Sequence, residues 1–152
     1  MQKTNQRIDI LGAELKWLLP LEATGNKYCL LEARIAPGVG VPPHQHPDQE
    51  SFYVLEGDPE FALEINGRLK WQSAVPGQLV NVPPNAIHGF RNTSYDEVRV
   101  LITGTEGLGR FFEEAGLVLA EGESACAEPS PDTIQQVISI AEKHGQRFLG
   151  PA

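Results

Sequence analysis

Three of the four histidines fall in two short stretches that also carry spaced Gly and Pro residues. In the first stretch, one residue separates His44 from His46, and Glu50 lies four positions further on. Side chains at every second position of a strand project to one face, so these three side chains share a direction. Two imidazoles and a carboxylate that converge are typical ligands of a first-row transition metal. His88, in the second stretch, offers a fourth ligand if the fold places it opposite the first.

This ligand set predicts a class of metal site and leaves the identity of the metal open. Three His and one Glu leave about two free positions on a six-coordinate ion, whereas a purely structural site is closed. Nitrogen and oxygen ligands without thiolate suit one divalent ion per chain, namely Fe, Mn, Ni or Co, with Zn or Cu also compatible. Free positions indicate either catalysis or the exchangeable binding of a small molecule.

Short strands bounded by Gly, Pro or Asn must position these ligands. Asn66-Gly67 predicts a tight hairpin turn between two of the strands. Regular short strands of this kind predict an antiparallel sandwich or barrel. The predicted strands cover residues 28–36, 49–55, 60–65, 68–71, 78–82, 88–92 and 98–103.

Three apolar side chains are expected to surround the metal site. Phe52 and Val54 share the inward parity of Glu50, and Phe90 shares that of His88. Walls of Phe and Val exclude water and favour an aromatic or enediol-like substrate. Packing in the hydrophobic core is the other interpretation of the same three residues, and the two overlap.

The last third of the sequence predicts helices. Residues 108–115 fit a short helix, and Ser130 followed by Pro131 is typical of a helix start. An apolar stripe follows, at Ile134, Val137, Ile138 and Ala141. Three segments are therefore predicted: a barrel domain over residues 1–118, a linker over 119–130, and a helix over 131–146 that packs on the barrel or on a dimer partner.

Composition restricts the partners and the compartment. The 152 residues include 12 Lys and Arg against 20 Asp and Glu, a net charge of −8, which argues against nucleic acid or a membrane surface as partner. No apolar run has the length of a signal peptide or membrane span, so a cytoplasmic location is expected.

Cys29 and Cys126 match no metal or redox spacing and are expected to be free thiols. A homodimer is expected, because it would cover the open strand edges of a small barrel.

Both histidine stretches resemble the paired motifs of the cupin superfamily, G(x)5HxH(x)3–4E(x)6G and G(x)5PxG(x)2H(x)3N. The first stretch, from Gly38 to Gly57, matches at every defined position. The second, from Gly77 to Asn92, departs only at Asn85, where the family usually has Gly, and Asn also tolerates a positive φ. The likeness extends over most of residues 12–150 and is to the small single-domain cupins of the quercetin-dioxygenase-like group.

The resemblance implies an all-β jelly-roll barrel, or double-stranded β-helix, with a C-terminal helical appendage. It also implies a dioxygenase whose metal is held by His44, His46, Glu50 and His88. In that scheme Glu50 is both a ligand and the acceptor of a proton from a substrate hydroxyl, because its carboxylate can swing away from the metal. Two alternatives remain open: a metal-dependent isomerase or decarboxylase on the same scaffold, and a non-catalytic protein that binds or senses a small molecule.

Two further polar residues are interpreted as structural. Asn92 closes the second motif and is expected to serve as a hydrogen-bond partner of the backbone rather than as a ligand. His144 lies near the end of the predicted C-terminal helix, where a positive charge interacts favourably with the helix dipole.

Overall fold

The structure is a computed structural model and describes residues 3–149. Within that range, short β-strands account for most of the regular structure. The strands are β1 (Arg7–Ile10), β2 (Ala13–Leu19), β3 (Tyr28–Ile35), β4 (Gly40–Gln45), β5 (Glu50–Glu56), β6 (Glu60–Ile65), β7 (Arg68–Ser73), β8 (Leu79–Val82), β9 (His88–Arg91), β10 (Val98–Thr105), β11 (Leu117–Val118) and β12 (Arg147–Phe148). The helices are a 3-10 turn (Leu21–Thr24), α1 (Glu106–Ala115) and α2 (Pro131–Lys143).

Two antiparallel sheets face each other and form a jelly-roll barrel. One sheet has the strand order β11-β1-β2-β3-β10-β5-β8, and the other has the order β12-β4-β9-β6-β7. Strands β4 and β9, which belong to the two histidine stretches, are neighbours in the second sheet, whereas β5 lies in the first. The space between the sheets therefore receives side chains from both motifs. The predicted all-β jelly-roll with a helical C-terminal region is confirmed.

Alternating burial shows which face of each strand points inward. In β10, every second residue from Val98 to Gly104 is buried. In β5, Glu50, Phe52 and Val54 are buried, and the residues between them are half-buried or exposed. The inward parity predicted for these three side chains is confirmed. The largest fully buried apolar side chains, each worth roughly 1.5–3 kcal/mol by its removal from water, are Trp17, Phe52, Leu21, Leu31, Ile35, Val54, Val82, Val98 and Val100.

Positive φ angles occur at three turns that bear on the sequence predictions. Asn66 and Gly67, with φ of 52° and 76°, form the expected tight turn between β6 and β7. Asn85 has a φ of 66°, so it adopts the conformation for which the family motif uses Gly. Leu11 has a φ of 53° and precedes Gly12 at 91° in the turn between β1 and β2. The sequence predicts no strand before residue 28, so this hairpin is a difference from the prediction.

The C-terminal segment returns to the barrel after α2. Ser130 is the N-cap of α2, as predicted, and its Oγ accepts a hydrogen bond from the backbone N–H of Thr133 at 3.2 Å. Val137 and Ala141 of α2 are buried in the hydrophobic core. Beyond the helix, β12 pairs with β4 and carries the chain back beside the first histidine stretch. The division into segments 1–118, 119–130 and 131–146 stays a prediction.

Both cysteines are free, as expected. Cys29 is buried and Cys126 is exposed. Burial raises the pKa of Cys29 to about 12, so its thiol stays protonated near neutral pH. Among the helices of residues 3–149, none combines the length and the apolar character that crossing a membrane requires.

Candidate metal centre

The structure brings the four predicted ligand residues together between the two sheets. His44 lies in β4 and pairs in register with His88, the first residue of β9. His46 directly follows β4, and Glu50 is the first residue of β5 in the facing sheet. All four are buried, with exposed fractions between 1% and 6%. Ionisable groups at such depth require partners, and the arrangement around each of them supplies these.

Each imidazole is fixed by a hydrogen bond from its Nδ1 atom to a backbone carbonyl. A carbonyl oxygen can only accept, so Nδ1 carries a proton in all three rings and Nε2 is the nitrogen available to a metal. Hydrogen bonds of this kind set the tautomer and the ring orientation of metal-binding histidines. They run from His44 to Pro42 (2.9 Å), from His46 to Asp48 (3.0 Å) and from His88 to Ala86 (2.9 Å).

The three histidines form a compact group. Their ligand atoms all lie within 4.8 Å of one another. Ring centroids are 4.3 Å apart for His44 and His88, 4.8 Å for His46 and His88, and 5.6 Å for His44 and His46. These three side chains could hold a metal ion, because imidazoles that are fixed through Nδ1 can bind a divalent first-row metal through Nε2.

Glu50 interacts with two of the three imidazoles. Its Oε1 atom lies 3.1 Å from Nε2 of His46 and 3.1 Å from Nε2 of His88. Burial alone would raise the pKa of Glu50, but the hydrogen bonds with His46 and His88 outweigh it and lower the pKa to about 2. Burial would likewise lower the pKa of His46, but the hydrogen bond and charge of Glu50 outweigh it and raise the pKa. Glu50 and His46 therefore stabilise each other's charged form, as the two members of a buried ion pair.

His44 has a different environment. Burial lowers the pKa of His44 to about 4, and the nearby His88 acts in the same direction. The ring of His44 also stacks on Phe148, with centroids 5.3 Å apart and an interplanar angle of 26°. His44 is thus neutral at physiological pH, which is the protonation state that a metal ligand needs.

These protonation states predict that metal binding releases a proton. Glu50 is ionised and His44 is neutral near pH 7. The raised pKa of His46 favours a second ring proton, on Nε2, and this proton must leave when a metal binds. Titrating a divalent ion into chelator-treated protein in buffers of different ionisation enthalpy should give an observed enthalpy that depends on the buffer. The affinity should also fall as the pH drops below the raised pKa of His46. An enthalpy that is independent of the buffer would contradict the ion pair.

A small, mostly apolar cavity adjoins two of the four residues, His44 and Glu50. Its volume is about 50 Å³, well below the roughly 300–1,000 Å³ of pockets for drug-sized ligands. Of the apolar residues predicted to line the site, Phe52 and Phe90 lie on the cavity wall, whereas Val54 is fully buried in the core and does not. The polar wall residues are His44, Glu50 and Gln146, and the apolar ones are Ile10, Leu11, Ala13, Leu15, Val41, Phe52, Phe90, Ile102, Leu108, Phe111, Phe112 and Phe148.

Part of this wall is absent from the sequence-based prediction. It comes from the β1–β2 hairpin, from α1 and from the segment around β12. A local signal exists for α1, whose buried side chains recur at helical spacing, and for β2, where every second residue from Ala13 to Trp17 is buried. No local signal marks β12, because a strand of two residues is defined only by its pairing with β4.

The two residues interpreted as structural lie outside the cavity wall. Asn92 is 1% exposed, and its Nδ2 donates hydrogen bonds to the carbonyls of Ile35 (2.9 Å) and Asp96 (2.8 Å). His144 caps the end of α2, with its Nε2 2.9 Å from Oε1 of Glu114. Both positions agree with roles in the fold.

Known structures share this arrangement of two sheets. A predicted oxalate decarboxylase from Thermotoga maritima is 25% identical, with 68% of this chain and 93% of that chain covered and a TM-score of 0.56. The polyketide cyclase RemF from Streptomyces resistomycificus is 23% identical, with 70% of each chain covered and a TM-score of 0.53. An oxalate oxidase in complex with glycolate is 18% identical, with 69% of this chain and 58% of that chain covered and a TM-score of 0.54. The comparison with curated protein sequences gives no significant match.

Two facing antiparallel sheets with three imidazoles between them define a jelly-roll barrel with a possible metal site. Residues 31–104 match the family described as the cupin domain, and this range contains all four predicted ligand residues. This segment is a cupin domain, and the resemblance seen in the two sequence motifs is confirmed.

Proposed function

We propose that this cupin is a metal-dependent oxygenase that acts on a small aromatic or enediol-type substrate. The observation that carries the proposal is the convergence of three imidazoles, each held through Nδ1 by a backbone carbonyl, beside a buried carboxylate and an apolar cavity. His44, His46 and His88 would hold the metal, with Glu50 as the fourth ligand. The bound ion would supply Lewis-acid and redox chemistry to a substrate that binds through its oxygen atoms.

The character of the cavity supports oxygen chemistry. Apolar cavities stay dry and take up small apolar molecules, and dioxygen is such a molecule. No Lys or Arg occurs among the described residues that line the cavity. Cationic side chains in the cavity would be expected for a phosphorylated sugar or a dicarboxylate, so their absence from this wall favours an oxygenase over an isomerase or decarboxylase.

Glu50 is positioned to take a proton from the substrate. Its lowered pKa depends on the hydrogen bonds from His46 and His88, and a metal on the Nε2 atoms of these rings would remove both bonds. Its carboxylate would then be free of the two rings and could accept the proton of a substrate hydroxyl. A buried carboxylate next to the substrate's hydroxyl is suited to general-base catalysis, which typically contributes about 10²–10⁴ in rate.

The size of the cavity favours the enediol type of substrate. About 50 Å³ accommodates a molecule of a few heavy atoms. A flavonol, with its fused rings, is too large for this volume. We therefore expect activity on small enediols and β-diketones before any activity on flavonols.

Oxygen consumption tests the proposal. The protein is stripped with a chelator, reconstituted separately with Fe, Mn, Ni, Co, Zn and Cu, and assayed against small enediols, β-diketones and a flavonol. At least one metal and one small substrate should give oxygen uptake above that of the stripped protein. No turnover with any combination would contradict the oxygenase, and substrate binding without turnover would favour the non-catalytic alternative.

Decarboxylation is the second candidate, because the predicted oxalate decarboxylase from Thermotoga maritima is covered over 93% of its length. Oxalate also has few heavy atoms and is compatible with a small cavity. Release of carbon dioxide from oxalate by the same reconstituted samples, without net oxygen uptake, would support this candidate and contradict the oxygenase.

A further inference from the structure

One polar side chain in the wall of the small apolar cavity forms no hydrogen bond with the described residues that would explain its place in the fold. Gln146 lies between α2 and β12 and is 6% exposed. Its Nε2 atom is buried and has no hydrogen-bond partner among residues 3–149. An unpartnered buried amide destabilises a fold, so its presence in a mostly apolar wall indicates that a ligand completes its hydrogen bonding.

The backbone directs this side chain into the cavity. Gln146 is anchored by a hydrogen bond of 2.9 Å from its backbone N–H to the carbonyl of Ala141 in α2. Two residues further on, Phe148 pairs in register with His44 and stacks on its ring. Gln146 and Phe148 are buried or half-buried and line the cavity, whereas Arg147 and Leu149 are exposed. This alternation of buried and exposed side chains shows that Gln146, just before β12, points to the same side as Phe148, into the cavity.

We propose that Gln146 is a substrate-binding residue whose amide N–H donates a hydrogen bond to an oxygen atom of the ligand. The inference rests on the proposed metal site and specifies the class of substrate. The ligand has a carboxylate, carbonyl or enolate oxygen for Gln146, a second oxygen for the metal, and a small apolar remainder. The apolar remainder follows from the surrounding wall, in which the polar residues are His44, Glu50 and Gln146.

Acetate bound to the cobalt-loaded protein tests this role. Acetate has two oxygens and one methyl group, and its binding changes the visible absorption of a Co(II) centre. In Gln146→Met, which keeps an unbranched side chain of similar length, the dissociation constant for acetate should rise about 10- to 100-fold, the loss expected for a hydrogen bond to a charged group. Cobalt affinity should be unchanged, and the unfolding temperature should be equal or higher because an unpartnered polar group is removed.

The neighbouring residue provides a matched control. Arg147→Ala alters the same strand on its exposed face and should leave the acetate affinity unchanged. If Gln146→Met folds poorly, Gln146→Leu repeats the measurement with the same expectation. An unchanged acetate affinity in the Gln146 variants, an equal loss in Arg147→Ala, or loss of cobalt from Gln146→Met would each overturn the proposal.

The outcome for Gln146 is separable from the outcome for catalysis. Acetate binding to a cobalt centre is read without turnover, so failure of the oxygen-uptake assay leaves the role of Gln146 intact. If the wild-type protein does not bind cobalt, the metal site is wrong and the role of Gln146 is overturned with it.

Discussion

Replacing His46 by alanine is expected to reduce metal affinity by more than 100-fold while the barrel stays folded. His46 supplies one of three imidazoles with a fixed orientation. Loss of the hydrogen-bond partners of metal ligands already costs about 10–100-fold, and loss of the ligand itself costs more. The variant leaves the carbonyl of Asp48 without its partner, at about 1–3 kcal/mol, whereas the buried Glu50 loses His46 but keeps its hydrogen bond of 3.1 Å with His88. That cost is smaller than the usual stability of about 5–15 kcal/mol for a domain.

The fourth histidine gives a matched control for this variant. His144 lies at the end of α2 beside Glu114, outside the cavity wall. His144→Ala should therefore keep one metal ion per chain, as measured by elemental analysis after dialysis, and circular dichroism should show the barrel in both variants. Stoichiometric metal in His46→Ala would show that the ligand assignment is wrong.

Replacing Glu50 by glutamine is expected to reduce turnover by about 10²–10⁴ at saturating metal, because the amide cannot accept the proton of the substrate. Glu60 offers the control: it pairs with Arg91 at 2.9 Å on the surface, and Glu60→Gln should leave turnover unchanged. Retention of wild-type turnover by Glu50→Gln would contradict the assignment of the base.

Glu50→Gln also has an effect that is independent of any substrate. In chelator-treated protein, the hydrogen bond and charge of Glu50 raise the pKa of His46, so the variant should lower this pKa, as read by an NMR titration. The pair stabilises the fold fully between pH 4.5, the ordinary pKa of Glu, and pH 6.5, the ordinary pKa of His. The stability lost in the variant should therefore be largest between these two values and shrink on either side. A stability loss of the same size below pH 4.5, between pH 4.5 and 6.5, and above pH 6.5 would contradict the ion pair.

The sequence contains most of the information about the histidine group, because that information is local. The alternation of strand side chains places Glu50, Phe52 and Val54 on one face of β5, as the structure shows. The spacing of His44 and His46 specifies a common direction, and the pairing of β4 with β9 then brings His88 opposite. The positive φ of Asn85 could be predicted because the tolerance of this conformation is a property of the Asn residue itself.

The rest of the cavity depends on tertiary pairing and could not be predicted in the same way. The β1–β2 hairpin turns at Leu11, a bulky residue with positive φ, in place of the Asn or Gly that typically marks such turns. Gln146 and Phe148 belong to a segment whose position is set by pairing with β4 across about a hundred residues of sequence. Propensity and periodicity carry no information about contacts of that kind.

Anomalous diffraction from a crystal of the metal-loaded protein tests the central claim, that the imidazoles between the sheets form a metal site, most directly. One strong peak per chain is expected, about 2.0–2.2 Å from Nε2 of His44, His46 and His88. The Nδ1 atoms should keep their hydrogen bonds to the backbone carbonyls. A metal bound at surface carboxylates, or bound through Nδ1, or absent from the three imidazoles at saturating concentration, would contradict the account.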